Sequence, residues 1–207
     1  MSSIKLKGSS SGEAIITAAS DASAIILDKK LDLNGQELVL DADGDTSIHV
    51  DTDDQIDFKV GGTDRMVIDS SGRVTKSAQP AFSGYVTGTN NYSTVGVVNI
   101  TNIAVNIGSH FDTSTDRFTA PVAGLYMISY GAHSENDSNA KLIHLFKNGG
   151  VLTHGSTYSQ GTTHQSMSKT IVTSLAANDY IQLYLAAGTV WGGDSSTGIG
   201  WDIYLLG

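Results

Sequence analysis

The sequence predicts an all-β chain in which a jelly-roll β-sandwich head at the C-terminus is carried on a shorter, repetitive β fibre segment. Three observations carry this expectation. Apolar residues alternate with period two through much of the chain, and no long stretch of helical period competes. Clusters of Gly, Asn, Asp and Ser punctuate the alternation at turn spacing. The aromatic residues are unevenly divided, because of 15 Phe, Trp and Tyr only Phe58 precedes Pro80. Only the later part can fill an ordinary core, so the chain divides into residues 1–79, a stalk and attachment segment, and residues 80–207, the globular head.

In the first segment the stretch from Gly12 to Lys30 suits either a strand or one side of a helix, since Ala14, Ile15, Ala18, Ala22, Ile25 and Ile26 also fall at helical spacing. Beyond it, short strand signals recur at Leu31 and Leu33, Leu38 and Leu40, Ile48 and Val50, Ile56 to Val60, and Met66 and Ile68. Turns are expected at Asn34-Gly35, Asp41 to Asp45, Gly61 to Asp64 and Ser70 to Gly72. So thin an apolar stripe cannot stabilise a free-standing monomer, which predicts that several copies share one core.

In the head, strands are expected at Val95 to Ile107, Gly124 to Tyr130, Lys141 to Phe146, Ser168 to Leu175, Tyr180 to Ala186 and Ile199 to Leu206. Asn148-Gly149-Gly150 is the strongest hairpin signal. Tyr126, Ile128 and Tyr130 share one face of their strand, and that face is predicted to be core.

Charge and composition exclude several functions. With 12 Lys and Arg against 21 Asp and Glu, the formal charge is −9, which leaves no basic surface for nucleic acid or an anionic membrane. No apolar run is long enough for membrane insertion, and the start MSSIKLKGSSSG has no signal-peptide core. The absence of cysteine removes disulfides, thiolate metal sites and cysteine catalysis.

The segment Phe111 to Tyr130, FDTSTDRFTAPVAGLYMISY, resembles the signature of the globular-head family of complement's first component, subcomponent q, related in fold to tumour necrosis factor. Asn106, Phe111, Phe118, Gly124, Tyr126 and Tyr130 stand at signature positions, Pro121 fits, and Ile100 and Ile128 replace two Phe residues. Further likeness lies in Pro80 to Ser83, Leu145 to Gly149, Asn178 to Leu183 and Trp201 to Leu206. The resemblance implies a jelly roll that assembles as an intertwined homotrimer. Asp41 to Val74 resembles the repetitive stretches of bacteriophage tail-fibre proteins. The missing cysteines, export signal and collagen repeat point away from a secreted animal member of the globular-head family.

Candidate sites are sparse. Asp41, Asp43 and Asp45 begin like a calcium loop, but Gly44, Thr46 and Thr52 break the EF-hand pattern. A calcium or sodium ion in these acidic turns stays open beside a plain solvated surface, so the metal content is unknown. No cofactor is implied. None of His49, His110, His133, His144, His154 and His164 has zinc-hydrolase spacing. His144, on one face with Leu142 and Phe146, is the candidate for a His cluster on a threefold axis. The head acids Asp112, Asp116, Glu135, Asp137, Asp179, Asp194 and Asp202 form no recognisable pair, so no enzyme is expected. Antiparallel parity places the loops at 132–140, 158–163 and 188–198 at one end, distal to the stalk, and the turns at 148–150 and 176–179 at the other. The distal loops offer His133, Glu135, Asn136, Asp137, Tyr158, Gln160, Trp191 and Asp194 as ligand-binding candidates.

These readings combine into an expected function. It is a trimeric bacteriophage virion tail fibre, made in the bacterial host cytoplasm, whose head binds a host cell-surface glycan or protein. The N-terminal segment is expected to join other tail or capsid proteins. The alternative is a structural capsid or tail decoration fibre whose head acts only as a trimerisation clamp.

Overall fold

Eighteen strands and no helix make up the regular structure of the described residues, which in this computed structural model are 33, 35–87, 91–134, 139–158, 165–192 and 198–207. The undecided stretch from Gly12 to Lys30 lies outside them.

The first five strands are β1 (Leu38–Val39), β2 (Ser47–His49), β3 (Ile56–Val60), β4 (Thr63–Ile68) and β5 (Val74–Thr75). They pair with their sequence neighbours as an antiparallel meander in the order β1-β2-β3-β4-β5. The predicted turns make this possible: Gly35, Gly44, Gly61, Gly62 and Gly72 all adopt positive φ. Asp41 Oδ1 accepts hydrogen bonds from the backbone N–H groups of Gly44 and Thr46, which closes the β1–β2 turn. One face of the meander carries Leu38, Ile48, Phe58 and Met66, and the other carries Ser47, His49, Asp57 and Asp64.

The head begins with β6 (Ala81–Tyr85), β7 (Asn91–Tyr92), β8 (Gly96–Val97), β9 (Asn102–Ile107), β10 (Phe111–Asp112) and β11 (Arg117–Thr119). It continues with β12 (Gly124–Ser134), β13 (Ala140–Lys147), β14 (Gly150–Tyr158), β15 (Ser166–Leu175), β16 (Tyr180–Ala187), β17 (Val190–Trp191) and β18 (Gly200–Leu205). One sheet has the order β10-β11-β16-β13-β14, with β8 also on β16. In the other, β15, β12, β18, β6 and β9 lie side by side, and β17 with β7 continues beside the far end of β12.

The core between the sheets is built from inward-facing residues of both. Tyr126, Ile128 and Tyr130 are buried as a set, with Ile143, Leu145, Ile181, Leu183 and Leu185 among the facing residues. Phe82 stacks on Phe111 at 4.0 Å between ring centroids, and Trp201 tilts against Phe82 at 4.8 Å. The two conservative replacements behave as packing changes, because Ile100 and Ile128 are both buried.

Two strand expectations need correction. The apolar run from Val95 to Ile107 is two short strands, not one, because Ile100 N–H donates to Asp116 Oδ1 at 2.9 Å instead of to a neighbouring strand. The strand predicted to end at Tyr130 runs on to Ser134, since Gly131 sits inside the ladder between β15 and β18.

Candidate functional site

The strand registers settle which ends of the head coincide. His133 lies opposite both Ser166 and Trp191, Ala140 opposite Tyr158, Leu142 opposite Ala187, and Gly131 opposite Gly200. The strand ends flanking the three candidate loops therefore gather at one end of the sandwich. At the other end Gly124 faces Leu175, Lys147 faces both Gly150 and Ile181, and Tyr204 faces Ala81.

Of the candidate ligand-binding residues, His133 and Trp191 are brought together, with ring centroids 6.1 Å apart in an edge-to-face arrangement. Ser166 Oγ lies 2.8 Å from His133 Nδ1. Glu135, Asn136, Asp137, Gln160 and Asp194 fall outside the described residues, as does the side chain of Tyr158. A shallow groove of about 330 Å³ runs beside this corner, where Gly131 and Gly200 oppose each other without side chains and His133, Ser166, Tyr85 and Asp202 form the walls. The Ser166–His133 contact has no third group to orient it, since no carboxylate reaches His133 among the described residues.

Three of the described head carboxylates, Asp112, Asp116 and Asp179, hold turns and strand ends of the fold. Asp112 accepts from the N–H and hydroxyl of Ser114, and these bonds hold its pKa below the ordinary value. Burial pushes Asp116 up, against the opposing bond from Ile100 N–H. Asp179 accepts from Lys147 Nζ at 2.7 Å, from Asn148 Nδ2 at 2.7 Å and from Ala176 N–H at 2.8 Å, and its pKa falls to about 2. His144 is half-buried against His154 at 4.5 Å, and burial, reinforced by that neighbour, holds its pKa below the ordinary value.

The signature residues find their structural reasons. Asn106 clamps the turn before β10, accepting from Phe111 N–H and donating to Phe111 C=O, each at 3.0 Å. Phe111 and Phe118 are cross-strand partners in the core. Any side chain at Gly124 would meet Leu205 and the Gly207 carbonyl within 3.0 Å. The Tyr126 hydroxyl donates to Val122 C=O at 2.9 Å.

The head carries a second feature, on the outer surface of its larger sheet. The outward face of the β15-β12-β18-β6-β9 sheet carries a row running Val172, Met127, Tyr204, Ala81 and Ile107, each residue directly opposite the next on the adjoining strand. Leu125 and Val105 flank it. Signal for the row was present in the alternation of β12, whose outward positions Leu125 and Met127 are apolar where a solvated face would be polar.

The C1q domain family model matches residues 81–199, which is most of the head and more than half of the chain. The chain belongs to the C1q domain family. Two curated relatives, human and mouse complement C1q tumor necrosis factor-related protein 3, are each 29% identical to it over 90 residues. That match covers 44% of this chain and 37% of the length of those relatives. The fold resembles the globular domain of zebrafish complement 1qA protein, with a TM-score of 0.50 and 16% identity over 62% of this chain and 98% of that one. It also resembles the Eiger TNF of S. frugiperda, with a TM-score of 0.51 and 12% identity over 63% of this chain and 94% of that one.

These findings bear out the globular-head resemblance and overturn the expected bacteriophage identity. The curated relatives are human and mouse C1q/TNF-related proteins, so the C1q-domain chain is not assigned to a phage tail fibre, to a capsid or tail decoration fibre, or to a virion. The expectation failed because it rested on the composition of residues 41–74, and acidic, Gly-punctuated alternation is what any solvated β meander requires. It rested also on absences of cysteine, leader and collagen repeat, and an absence assigns no source. The family match lies wholly within the head and does not reach residues 41–74.

Proposed function

We propose that this C1q-domain chain is a non-enzymatic homotrimer whose distal loops form a recognition surface for a protein or saccharide ligand. The apolar row across the outward sheet face carries the reading. Val172, Met127, Tyr204 and Ile107 are 57%, 40%, 42% and 36% exposed in the single chain, and Leu125 and Val105 extend the patch. Five adjoining strands make the row about 20 Å wide. A cyclic assembly covers such a surface without leaving an open edge. The meander supports the same reading, since Leu38, Ile56 and Val74 on its apolar side stand open while the polar side is buried. On this reading His144, on the outward face of the opposite sheet, lies away from the axis.

Light scattering and native mass spectrometry of the full chain test assembly. A trimer is expected, and a Met127→Glu/Tyr204→Glu double variant is expected to be a folded monomer by circular dichroism. A monomeric wild type at micromolar concentration overturns the reading. Arrays of glycans and cell-surface proteins test recognition, with the hits of the wild type lost in Trp191→Ala.

A further inference from the structure

The polar face of the N-terminal meander holds a cluster separate from the head. His49 on β2 and Asp57 on β3 are direct cross-strand partners, so both side chains leave the sheet on the same side. Asp64 on β4 opposes Lys59, which in turn opposes Ser47, and this parity brings Asp64 to that side as well. Asp51 follows in the β2–β3 turn. His49 Nε2 lies 3.6 Å from Asp51 Oδ2 and 3.6 Å from Asp64 Oδ1. One ligand atom each from His49, Asp51 and Asp57 fall within 4.8 Å of one another.

Burial makes this more than an acidic surface. The His49 side chain is only 5% exposed, yet its Nδ1 is buried without a hydrogen-bond partner. Asp57 is completely buried, and Asp64 Oδ1 is a second buried atom without a hydrogen bond. Buried polar atoms are ordinarily satisfied. Lys59, on the same face, is committed to Glu37 at 2.6 Å. Gln55 Nε2 donates to both Asp57 oxygens, at 2.8 and 3.0 Å, fixing the carboxylate as an outer partner fixes a metal ligand. The 3.6 Å separations are too long for hydrogen bonds and close to the edge of about 3.4 Å in a tetrahedral set of ~2.1 Å bonds.

We infer that His49, Asp51 and Asp57 bind one divalent cation of borderline softness, with zinc(II) the best fit and solvent completing a four-coordinate set, while Asp64 stands beside His49 as a neighbouring charge. An imidazole among carboxylates suits zinc, whereas calcium takes six to eight oxygens. The ion joins β2, β3 and the turn between them in a sheet that lacks an aromatic core, and so replaces burial with coordination. Asp41, Asp43 and Asp45 form a different, fully exposed cluster with no buried group directed into it, which makes them the internal control.

The test uses the full chain, stripped with chelator and titrated with zinc chloride by calorimetry and with cobalt chloride by visible absorption. A single zinc per chain and the absorption bands of four-coordinate cobalt are expected. His49→Gln and Asp51→Asn should each weaken binding at least about tenfold and abolish the cobalt bands. Asp51 is 58% exposed, so Asp51→Asn leaves folding intact, and circular dichroism checks both variants. An Asp41→Asn/Asp43→Asn control should bind as the wild type does. Absence of zinc binding, equal binding by wild type and Asp51→Asn, or equal loss in the control overturns the inference. Absence of cobalt bands likewise overturns it.

Discussion

Tyr126 shows how one side chain joins the two parts of the head. Its ring is fully buried beside Phe118, and its hydroxyl reaches back to Val122 C=O before the strand begins. Tyr126→Ala is expected to cost roughly 3 to 5 kcal/mol and Tyr126→Phe about 1 kcal/mol, measured by denaturant unfolding. Asp179 gives a second expectation at this scale. Its depressed pKa means that its contribution is complete above the ordinary carboxylate range near pH 4 and is lost as the pH falls towards about 2. Asp179→Asn should therefore lower the melting temperature at pH 7, and the difference from wild type should vanish at the acid limit. The core role of Tyr126 was legible from strand parity alone. The role of Asp179 was not, because its partners Lys147 and Asn148 lie 31 or more residues away, and only the pairing of β13 with β16 brings them together.

At the scale of the strand, β12 organises the larger sheet. It pairs with β15 on one side and with β18 and β17 on the other, and Gly131 lets the three chains pass closely. A Cβ at Gly131 would stand 2.9 Å from Met167 C=O. Gly131→Ala should thus cost about 1 to 3 kcal/mol, read as a lower denaturation midpoint, although alanine is usually the better strand residue. The strands of the head were legible because their alternation survives burial on one side. The extension of β12 was not, since a glycine after Tyr130 carries the local signal of a strand end. The break at Ile100 was equally hidden, because a carboxylate 16 residues away occupies the N–H that a longer strand would have used. The ligand candidates separate in the same manner: parity located the distal end, but the contact of His133 with Trp191 required β17 to pair with β12.

For the whole molecule, no strand pairing among the described residues joins the meander to the head, and the link is local, as in Gln79 Nε2 donating to Leu205 C=O at 2.7 Å. Residues 80–207 alone are expected to fold and self-associate, while residues 1–79 alone should show no cooperative melting transition by calorimetry. A sharp transition in the shorter fragment would place a sufficient core within it. The first and last strands of the head are antiparallel neighbours, with Ala81 opposite Tyr204, so the chain enters and leaves at the same end. That arrangement sets how the head bears force. Ladder hydrogen bonds lie perpendicular to their strands, so a pull between the head's two ends opens β6 from β18 one bond at a time. A pull between the N-terminal meander and the far turn at Gly188 runs along the strands and loads the bonds of β6 to both β18 and β9 together. The domain is therefore mechanically strong against tension between its far end and the N-terminal meander, and weak against tension that draws its two chain termini apart.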